Sequence, residues 1–218
     1  MDAHPTGSQV FDELLQGGYE KGIITTIYGP AASGKSNLAL LAVASAQNKI
    51  IFVDTEGSFS VDRLEQLAPD VQDLLDRVIL LQATTFEQQT NILTRLPEMI
   101  QEDVDLVIVD SIASQYRAAI ARGEENLNNQ LSHQINALYR VAADNNIAVV
   151  MTSQVYANME TEGVNVVGGD IVKYNSKCLL ELRNEQGREA ILQKHRFLAP
   201  GRSARFVIET VGIYEEKE

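Results

Sequence analysis

The segment Ile23-Ile24-Thr25-Thr26-Ile27-Tyr28, followed directly by Gly29-Pro30-Ala31-Ala32-Ser33-Gly34-Lys35-Ser36, decides how this sequence is expected to fold. Its second part fits the pattern G-x-x-x-x-G-K-[S/T] of a phosphate-binding loop. The β-branched run before the loop predicts a buried strand, and Leu38, Leu41 and Ala42 after it lie at helical spacing. A strand, a glycine-rich turn and a helix direct backbone N–H groups and a helix N-terminus at phosphate oxygens. An ordinary glycine-rich turn is the alternative interpretation.

The phosphate-loop interpretation assigns a role to each part of the segment. All eight residues, Gly29, Pro30, Ala31, Ala32, Ser33, Gly34, Lys35 and Ser36, are expected to surround the phosphates. The Lys35 ammonium would reach the β- and γ-phosphates, and the Ser36 hydroxyl would hold Mg²⁺.

Apolar runs recur between helical patterns along the rest of the chain. Further strands are predicted at Lys49–Asp54, Val78–Leu81, Asp105–Asp110, Ile147–Met151 and Arg205–Glu209, and a β-hairpin is predicted at 178–183 and 189–193. This alternation predicts an α/β fold: a mostly parallel sheet with helices on both faces and a C-terminal antiparallel hairpin extension. We expect residues 1–20 to be an N-terminal lead-in and residues 21–218 to form a single core domain.

Two local predictions accompany this outline. Thr84-x-x-Glu87 predicts a capping box that opens a helix. The polar, Gly-containing stretch Val155–Asp170 predicts a long loop, of a length typical of functional segments.

Composition narrows the class of protein. The 218 residues carry a formal net charge of −12, which argues against attraction of nucleic acid or anionic lipid by the overall field. No apolar run approaches a membrane span, and the N-terminus lacks the pattern of a signal peptide. Cys178 is the single cysteine and cannot form an internal disulfide. These features predict a cytoplasmic protein without membrane contact.

Three polar residues follow predicted strands at the edge where open α/β sheets bind ligands. Asp110 suits a carboxylate that fixes the Mg²⁺ shell, although it could simply cap a turn. Glu56 could polarise an attacking water or be a solvated loop acid. Gln154 could contact the γ-phosphate and transmit its presence to the following loop, or cap a turn.

The same loop also resembles a guanine-nucleotide site, which the rest of the sequence disfavours. Asp54-Thr55-Glu56-Gly57 matches the D-x-x-G of GTPases, but Thr152-Ser153-Gln154-Val155 stands where N-K-x-D would be needed. ATP is therefore the expected nucleotide.

Positive charge is concentrated near the C-terminus. No Lys or Arg occurs from Val141 to Val172. Between Arg188 and Arg205, in contrast, Glu189 is the single acid, and the stretch contains a basic patch that comprises Arg188, Lys194, His195, Arg196, Arg202 and Arg205. The patch could contact DNA phosphates, donate charge to a neighbouring subunit's nucleotide, or be a solvated strand edge. Tyr116, Arg117 and Arg122 could form a weaker second contact or be ordinary surface.

Taken together, these motifs resemble the core of RecA-type recombinases. The resemblance rests on Thr6-Gly7, Leu14–Gly18, the phosphate loop, Asp54–Gly57, Leu106–Ser111, Thr152–Val155 and Gly168-Gly169. It is strongest to the branch of archaeal RadA and the eukaryotic strand-exchange proteins. Within that branch, the short length and Lys194-His195-Arg196-Phe197 are most similar to the RadB group of archaeal RadA paralogues.

The resemblance implies a RecA-like P-loop NTPase fold, with ATP at the phosphate loop and Mg²⁺ at Ser36 and Asp110. It implies Glu56 as the water-activating acid, Gln154 as the γ-phosphate sensor, and DNA-binding loops after the fourth and fifth core strands. The sequence also departs from full recombinases, because their N-terminal helical domain and subunit-linking segment are not matched and the expected DNA loop has no Lys or Arg. We therefore expect an accessory role in recombinational DNA repair, with weak ATP hydrolysis and inefficient strand exchange.

Two other functions stay open at this point. The chain could be a nucleotide-gated interaction module that regulates a RadA-type recombinase or a structure-specific nuclease. It could also be a homo-oligomeric motor of the same fold, in which Lys194 and Arg196 act across subunits.

Overall fold

Strands and helices alternate along the chain much as the hydrophobic pattern predicts. A computed structural model describes residues 2–158 and 163–216. The strands are β1 (Ala3–His4), β2 (Tyr19–Glu20), β3 (Ile24–Gly29), β4 (Lys49–Asp54), β5 (Val78–Gln82), β6 (Val104–Asp110), β7 (Ala148–Asn158), β8 (Gly163–Val166), β9 (Cys178–Arg183), β10 (Arg188–Lys194), β11 (Ser203–Glu209) and β12 (Gly212–Glu215). The helices are α1 (Gln9–Leu15), α2 (Lys35–Ser45), α3 (Val61–Leu67), α4 (Val71–Asp76), α5 (Phe86–Met99), α6 (Ser114–Ala121), α7 (Leu127–Asn145) and α8 (Gly169–Asn175).

One large sheet organises these elements. Its strand order is β12-β11-β10-β9-β3-β7-β6-β4-β5, with β8 paired to β7. The run from β9 to β5 is parallel, and β10, β11 and β12 are added antiparallel to one another beside it. The predicted α/β fold, with a mostly parallel sheet and a C-terminal antiparallel extension, is confirmed. β3 lies between β7 and β9, so its carboxyl end is near the middle of the sheet.

Alternation along the central strands divides the core between the two faces of the sheet. On β4, Ile50 and Phe52 pack with α2 residues, whereas Ile51 and Val53 pack with the side that holds α5 and α7. All four side chains are fully buried. Both faces are thus covered by helices, as expected for parallel strands that are apolar throughout.

The first twenty residues share this core. β1 pairs with β2 as a small separate sheet, and α1 lies against β11 and β12. Phe11 is fully buried, and its ring meets that of Phe206 edge to face with centroids 5.1 Å apart. The buried His4 side chain hydrogen-bonds the carbonyl of Ala42 through Nε2, at 3.1 Å. The lead-in is therefore fastened to α2 and to the C-terminal strands.

Two local predictions differ from the structure. The helix predicted to open at Thr84 begins one residue later: Thr85 is the N-cap and accepts the backbone N–H of Gln88, whose side chain in turn accepts that of Thr84. The predicted loop over Val155–Asp170 is partly a hairpin, because β7 continues to Asn158 and pairs with β8. The sequence predicted a loop because the stretch holds many polar residues and glycines, whereas ladder hydrogen bonds satisfy the backbone of the hairpin. Residues 159–162 of that predicted loop lie outside the described residues.

Within the described ranges, no helix is long and apolar enough to cross a membrane.

Candidate nucleotide-binding site

The predicted phosphate loop joins the carboxyl end of β3 to the N-terminus of α2. Gly34 precedes the helix with a φ of +110°, a left-handed conformation that a side chain would strain. A Cβ at Gly34 would lie 3.0 Å from Cδ1 of Ile208 on β11, so the glycine also permits close approach of the C-terminal strands. The first N–H groups of α2 have no helical acceptor and are available to a phosphate.

Lys35 lies over its own loop. Its Nζ donates to the carbonyls of Gly29 at 3.0 Å and Pro30 at 2.7 Å. Burial lowers the pKa of Lys35, while the nearby Asp110 and Glu56 carboxylates oppose that shift. The ammonium is therefore held at the loop by weak carbonyl acceptors, and an anionic ligand would stabilise its charge.

Asp110 ends β6 and is buried, and two hydroxyls fix its carboxylate. Ser58 donates to Oδ2 at 2.6 Å, and the Thr152 hydroxyl donates to Oδ1. Both Ser36 and Asp110 line the same cavity, and their oxygens are suitable ligands for Mg²⁺. The described residues hold no cluster of three or more potential metal-binding side chains, so Mg²⁺ here would need phosphate and water oxygens as well.

Glu56 and Gln154 meet at the strand ends, as expected for residues that follow neighbouring strands. Glu56 Oε1 accepts the Ser111 hydroxyl at 2.7 Å and the Gln154 amide at 3.4 Å. The Gln154 carbonyl oxygen accepts the guanidinium of Arg117 at 2.7 Å. The predicted catalytic acid is thus connected through the predicted sensor to a cation on α6.

Asp54 organises the turn that carries Glu56, a role that the sequence analysis missed. Its Oδ1 accepts the backbone N–H groups of Glu56, Gly57 and Ser58, and its Oδ2 accepts that of Phe59. The sequence held a signal for this role: Asp54 ends an apolar strand, as Asp110 does two strands later.

Most of the residues predicted for the nucleotide site line one cavity of about 440 Å³, but Gly29, Pro30 and Ser33 of the loop do not. Lys35 and Ser36 of the loop, Glu56, Asp110 and Gln154 all line it. Arg188 and Ile208, from the antiparallel strands, form part of the same wall. Arg188 was predicted only as a member of the basic patch.

The other members of the basic patch do not line this cavity. The Arg196 guanidinium pairs with the buried carboxylate of Glu20, and His195 Nε2 lies 3.6 Å from the same carboxylate. Burial lowers the pKa of His195, and Glu20 opposes the shift.

Three more of these cations also have intramolecular contacts. Lys194 donates to the Lys173 carbonyl at 2.9 Å. Arg202 donates to carbonyls at the end of α1, and Arg205 lies 3.4 Å from Glu216. The patch is therefore bound to the surface of its own chain while Arg196 and Arg205 stay exposed, at 43% and 57% of their side-chain surface.

Comparison with known proteins agrees with this geometry. The Rad51 family model matches residues 3–216. The DNA repair and recombination protein RadB of Methanobrevibacter smithii is 37% identical, over 96% of this chain and 94% of the relative. The protein of the same name from Thermococcus kodakarensis is also 37% identical, over 95% of this chain and 97% of the relative. A crystal structure of the RadB recombinase superposes with a TM-score of 0.87 at 35% identity, covering 98% of this chain and all of the other.

Proposed function

The chain belongs to the Rad51 family, and from that premise we propose that it is an ATP- and DNA-binding accessory protein of recombinational DNA repair. The observation that carries the proposal is the convergence of Lys35, Ser36, Glu56, Asp110 and Gln154 on one cavity. Binding a triphosphate needs a cation and ligands for Mg²⁺, and hydrolysing it also needs a residue that positions water; these five side chains supply groups for each. The RadB proteins similar to this chain are named for DNA repair and recombination, which supports the cellular role.

Each residue of the cavity has a separate role in this proposal. The loop N–H groups and Lys35 bind the phosphates, and Ser36 and Asp110 would hold Mg²⁺, which neutralises phosphate charge when bound. Glu56, oriented by the Ser111 hydroxyl at 2.7 Å, orients a water for attack and accepts its proton. Gln154 donates to a γ-phosphate only if it leaves Glu56, to which it is held at a long 3.4 Å.

Weak hydrolysis and inefficient strand exchange belong to the same proposal. Glu56 is exposed in the single chain, so water around it is not excluded. No Lys or Arg occurs from 141 to 172, a range that includes β7 and the segment after it, which leaves that segment few means of holding DNA phosphates.

The test is Mg²⁺-dependent ATP binding and turnover, with and without single-stranded DNA. We expect Lys35→Ala to abolish binding and Glu56→Gln to abolish turnover while binding persists. The matched control is Glu98→Gln, which makes the same change at an exposed position of α5 and should leave both unchanged. Absence of Mg²⁺-dependent ATP binding by the unmodified protein would refute the proposal.

DNA contact is proposed at the basic patch, through Lys194, His195, Arg196, Arg202 and Arg205. Because Arg196 neutralises buried Glu20, Arg196→Ala would leave an unpaired buried charge and is a poor test. The double variant Lys194→Gln with Arg205→Gln is a better test. It should reduce the slope of log DNA affinity against log salt concentration by about one for each phosphate contact that is lost. Arg140→Gln, an exposed change on α7, is the control. An unchanged salt slope, with altered ATP turnover that depends on protein concentration, would instead favour contact with a neighbouring subunit's nucleotide.

The Glu56–Gln154–Arg117 connection also favours a second candidate function, a nucleotide-gated interaction module for a RadA-type recombinase or a structure-specific nuclease. Arg117 lines another cavity of about 550 Å³, together with Tyr116, Gly168 and Gly169. Movement of Gln154 to a phosphate would release Arg117 at that surface. Turnover that Glu56→Gln leaves unchanged would favour this passive role over an ATPase.

A further inference from the structure

A guanidinium without a partner faces the phosphate-loop cavity. Arg188 begins β10 and lines the cavity together with Ala31 and Ala32 of the loop. The side chain is half-buried and its Nε fully buried, and within residues 2–158 and 163–216 this side chain makes no hydrogen bond or ion pair. A buried N–H without an acceptor is costly, so the arrangement suits a side chain that binds a ligand through this group.

The sheet register explains why Arg188 lies there. Arg188 is directly opposite Phe206 on β11, so both side chains share one face of the sheet. That face also carries Ala190 in the core against α2. A Cβ on Gly34 would come within 3.6 Å of the Phe206 ring, which places this face over the start of α2.

The turn before β10 is attached to the phosphate loop. The side-chain amide of Asn184 donates to the carbonyl of Ala31 at 3.1 Å. Across the loop, Gly29 approaches β9 so closely that a Cβ there would lie 2.4 Å from the Leu182 carbonyl. Arg188 is thus positioned by two contacts between the loop and the β9–β10 hairpin.

Arg188 differs in this respect from the remainder of the basic patch. Arg196 is paired with Glu20, Arg202 with the last carbonyls of α1, and Lys194 with a carbonyl of α8. Those cations attach the C-terminal strands to the rest of the fold, whereas the Arg188 guanidinium lines the cavity and makes no such contact in the described residues.

Charge in the cavity supports an anionic ligand for Arg188. The side chains that line it include two carboxylates, Glu56 and Asp110, and one ammonium, Lys35. Without Arg188 this set would be net negative, which disfavours a polyphosphate. The Arg188 guanidinium compensates the excess negative charge. It comes from the β9–β10 side of β3, whereas Asp110 and Gln154 come from the β6–β7 side.

We propose that Arg188 binds the phosphate chain of the nucleotide held by its own subunit. The assignment rests on the proposed nucleotide-binding function and identifies a cation that acts within the chain rather than across a subunit interface. Arg188 is a binding residue for the di- and triphosphate, with no role in activating water.

The experiment compares the full chain with Arg188→Gln and Arg188→Lys, using Mg·ATP, Mg·ADP and adenosine as ligands in calorimetry. We expect Arg188→Gln to lower the affinity for ATP and for ADP about 10- to 100-fold and to leave the affinity for adenosine unchanged, because only phosphate contacts are lost. The nucleotide affinity of Arg188→Lys should lie between those of the unmodified protein and Arg188→Gln, since a lysine keeps the charge but lacks the planar guanidinium. Arg140→Gln is the matched control on the exposed surface of α7, and Lys35→Ala is the positive control.

The outcomes separate this inference from the proposed function. If the unmodified protein binds Mg·ATP and Arg188→Gln binds it equally well, the Arg188 assignment is overturned and the proposed function stands. If the unmodified protein does not bind Mg·ATP, both fall. Equal weakening of ATP, ADP and adenosine, with a lower thermal midpoint of the ligand-free variant, would mean a structural role and would overturn the assignment.

Discussion

Replacing Asp54 by alanine tests whether one buried carboxylate holds the turn that carries Glu56. Asp54 accepts backbone N–H groups at 3.2 Å from Glu56, 2.8 Å from Gly57, 3.0 Å from Ser58 and 3.2 Å from Phe59. Each hydrogen bond to a charged acceptor contributes roughly 1.5–3 kcal/mol, although such contributions do not add in full.

The size of the effect follows from which donors can be rehydrated. Glu56 and Gly57 are exposed, so water replaces their lost acceptor, whereas Ser58 and Phe59 are half-buried and retain part of the penalty. We therefore expect Asp54→Ala to lower the free energy of unfolding by about 2–4 kcal/mol. We expect ATP turnover to fall about 10- to 100-fold through displacement of Glu56, with a smaller change in ATP affinity because Lys35 and its loop are not attached to this turn.

Urea unfolding gives the free energy of unfolding, and a coupled phosphate-release assay gives the turnover. Asp144→Ala, a change at a side chain that is 68% exposed on α7, should alter stability by no more than about 0.5 kcal/mol. A loss below about 1 kcal/mol for Asp54→Ala, with unchanged turnover, would show that the turn is held by other contacts.

Three further changes test other parts of the structure. Gly34→Ala should weaken Mg·ATP at least about 10-fold in calorimetry, because the residue has a φ of +110° and its Cβ would lie 3.0 Å from Ile208; unchanged affinity would contradict the proposed loop geometry. Phe11→Ala should cost about 3–5 kcal/mol in urea unfolding, since a fully buried ring packed on Phe206 is removed; a small loss would mean that the lead-in is dispensable. Burial lowers the pKa of His4 below its usual 6.5. Below about pH 6.5, His4 is therefore protonated more readily in the unfolded chain than in the folded one, and the free energy of unfolding should fall as the pH drops. His4→Asn should make that fall shallower, and an equal pH slope in both proteins would contradict the assignment.

Much of the fold follows from short apolar runs in the sequence. The strand predicted at Lys49–Asp54 is observed with the same bounds, and the strand predicted at Asp105–Asp110 starts one residue earlier. Buried parallel strands are continuous apolar runs that end in polar residues, so both their location and their carboxyl ends are visible in sequence. Because those ends share one edge, the meeting of Glu56, Asp110 and Gln154 was also predictable.

The missing parts depend on contacts between distant segments. The roles of Ser58, Ser111 and Thr152 arise from hydrogen bonds to acids at or just after the ends of other strands, which no local pattern records. Arg188 was grouped with the basic patch because charge density along the sequence does not show which way a strand side chain points. The short helices α4, α6 and α8, of six to eight residues, are held by packing rather than by a periodic pattern long enough to recognise.

The position of β3 between β7 and β9 has a consequence for how the protein is made. The strand that carries the phosphate loop emerges early from the ribosome, yet both of its neighbours are encoded more than 115 residues later. Its ladder partners, and the wall supplied by the final strands, exist only when translation is nearly finished. A polypeptide terminated before β7 would therefore lack both strands that flank β3, and the proposed nucleotide site could not form in it.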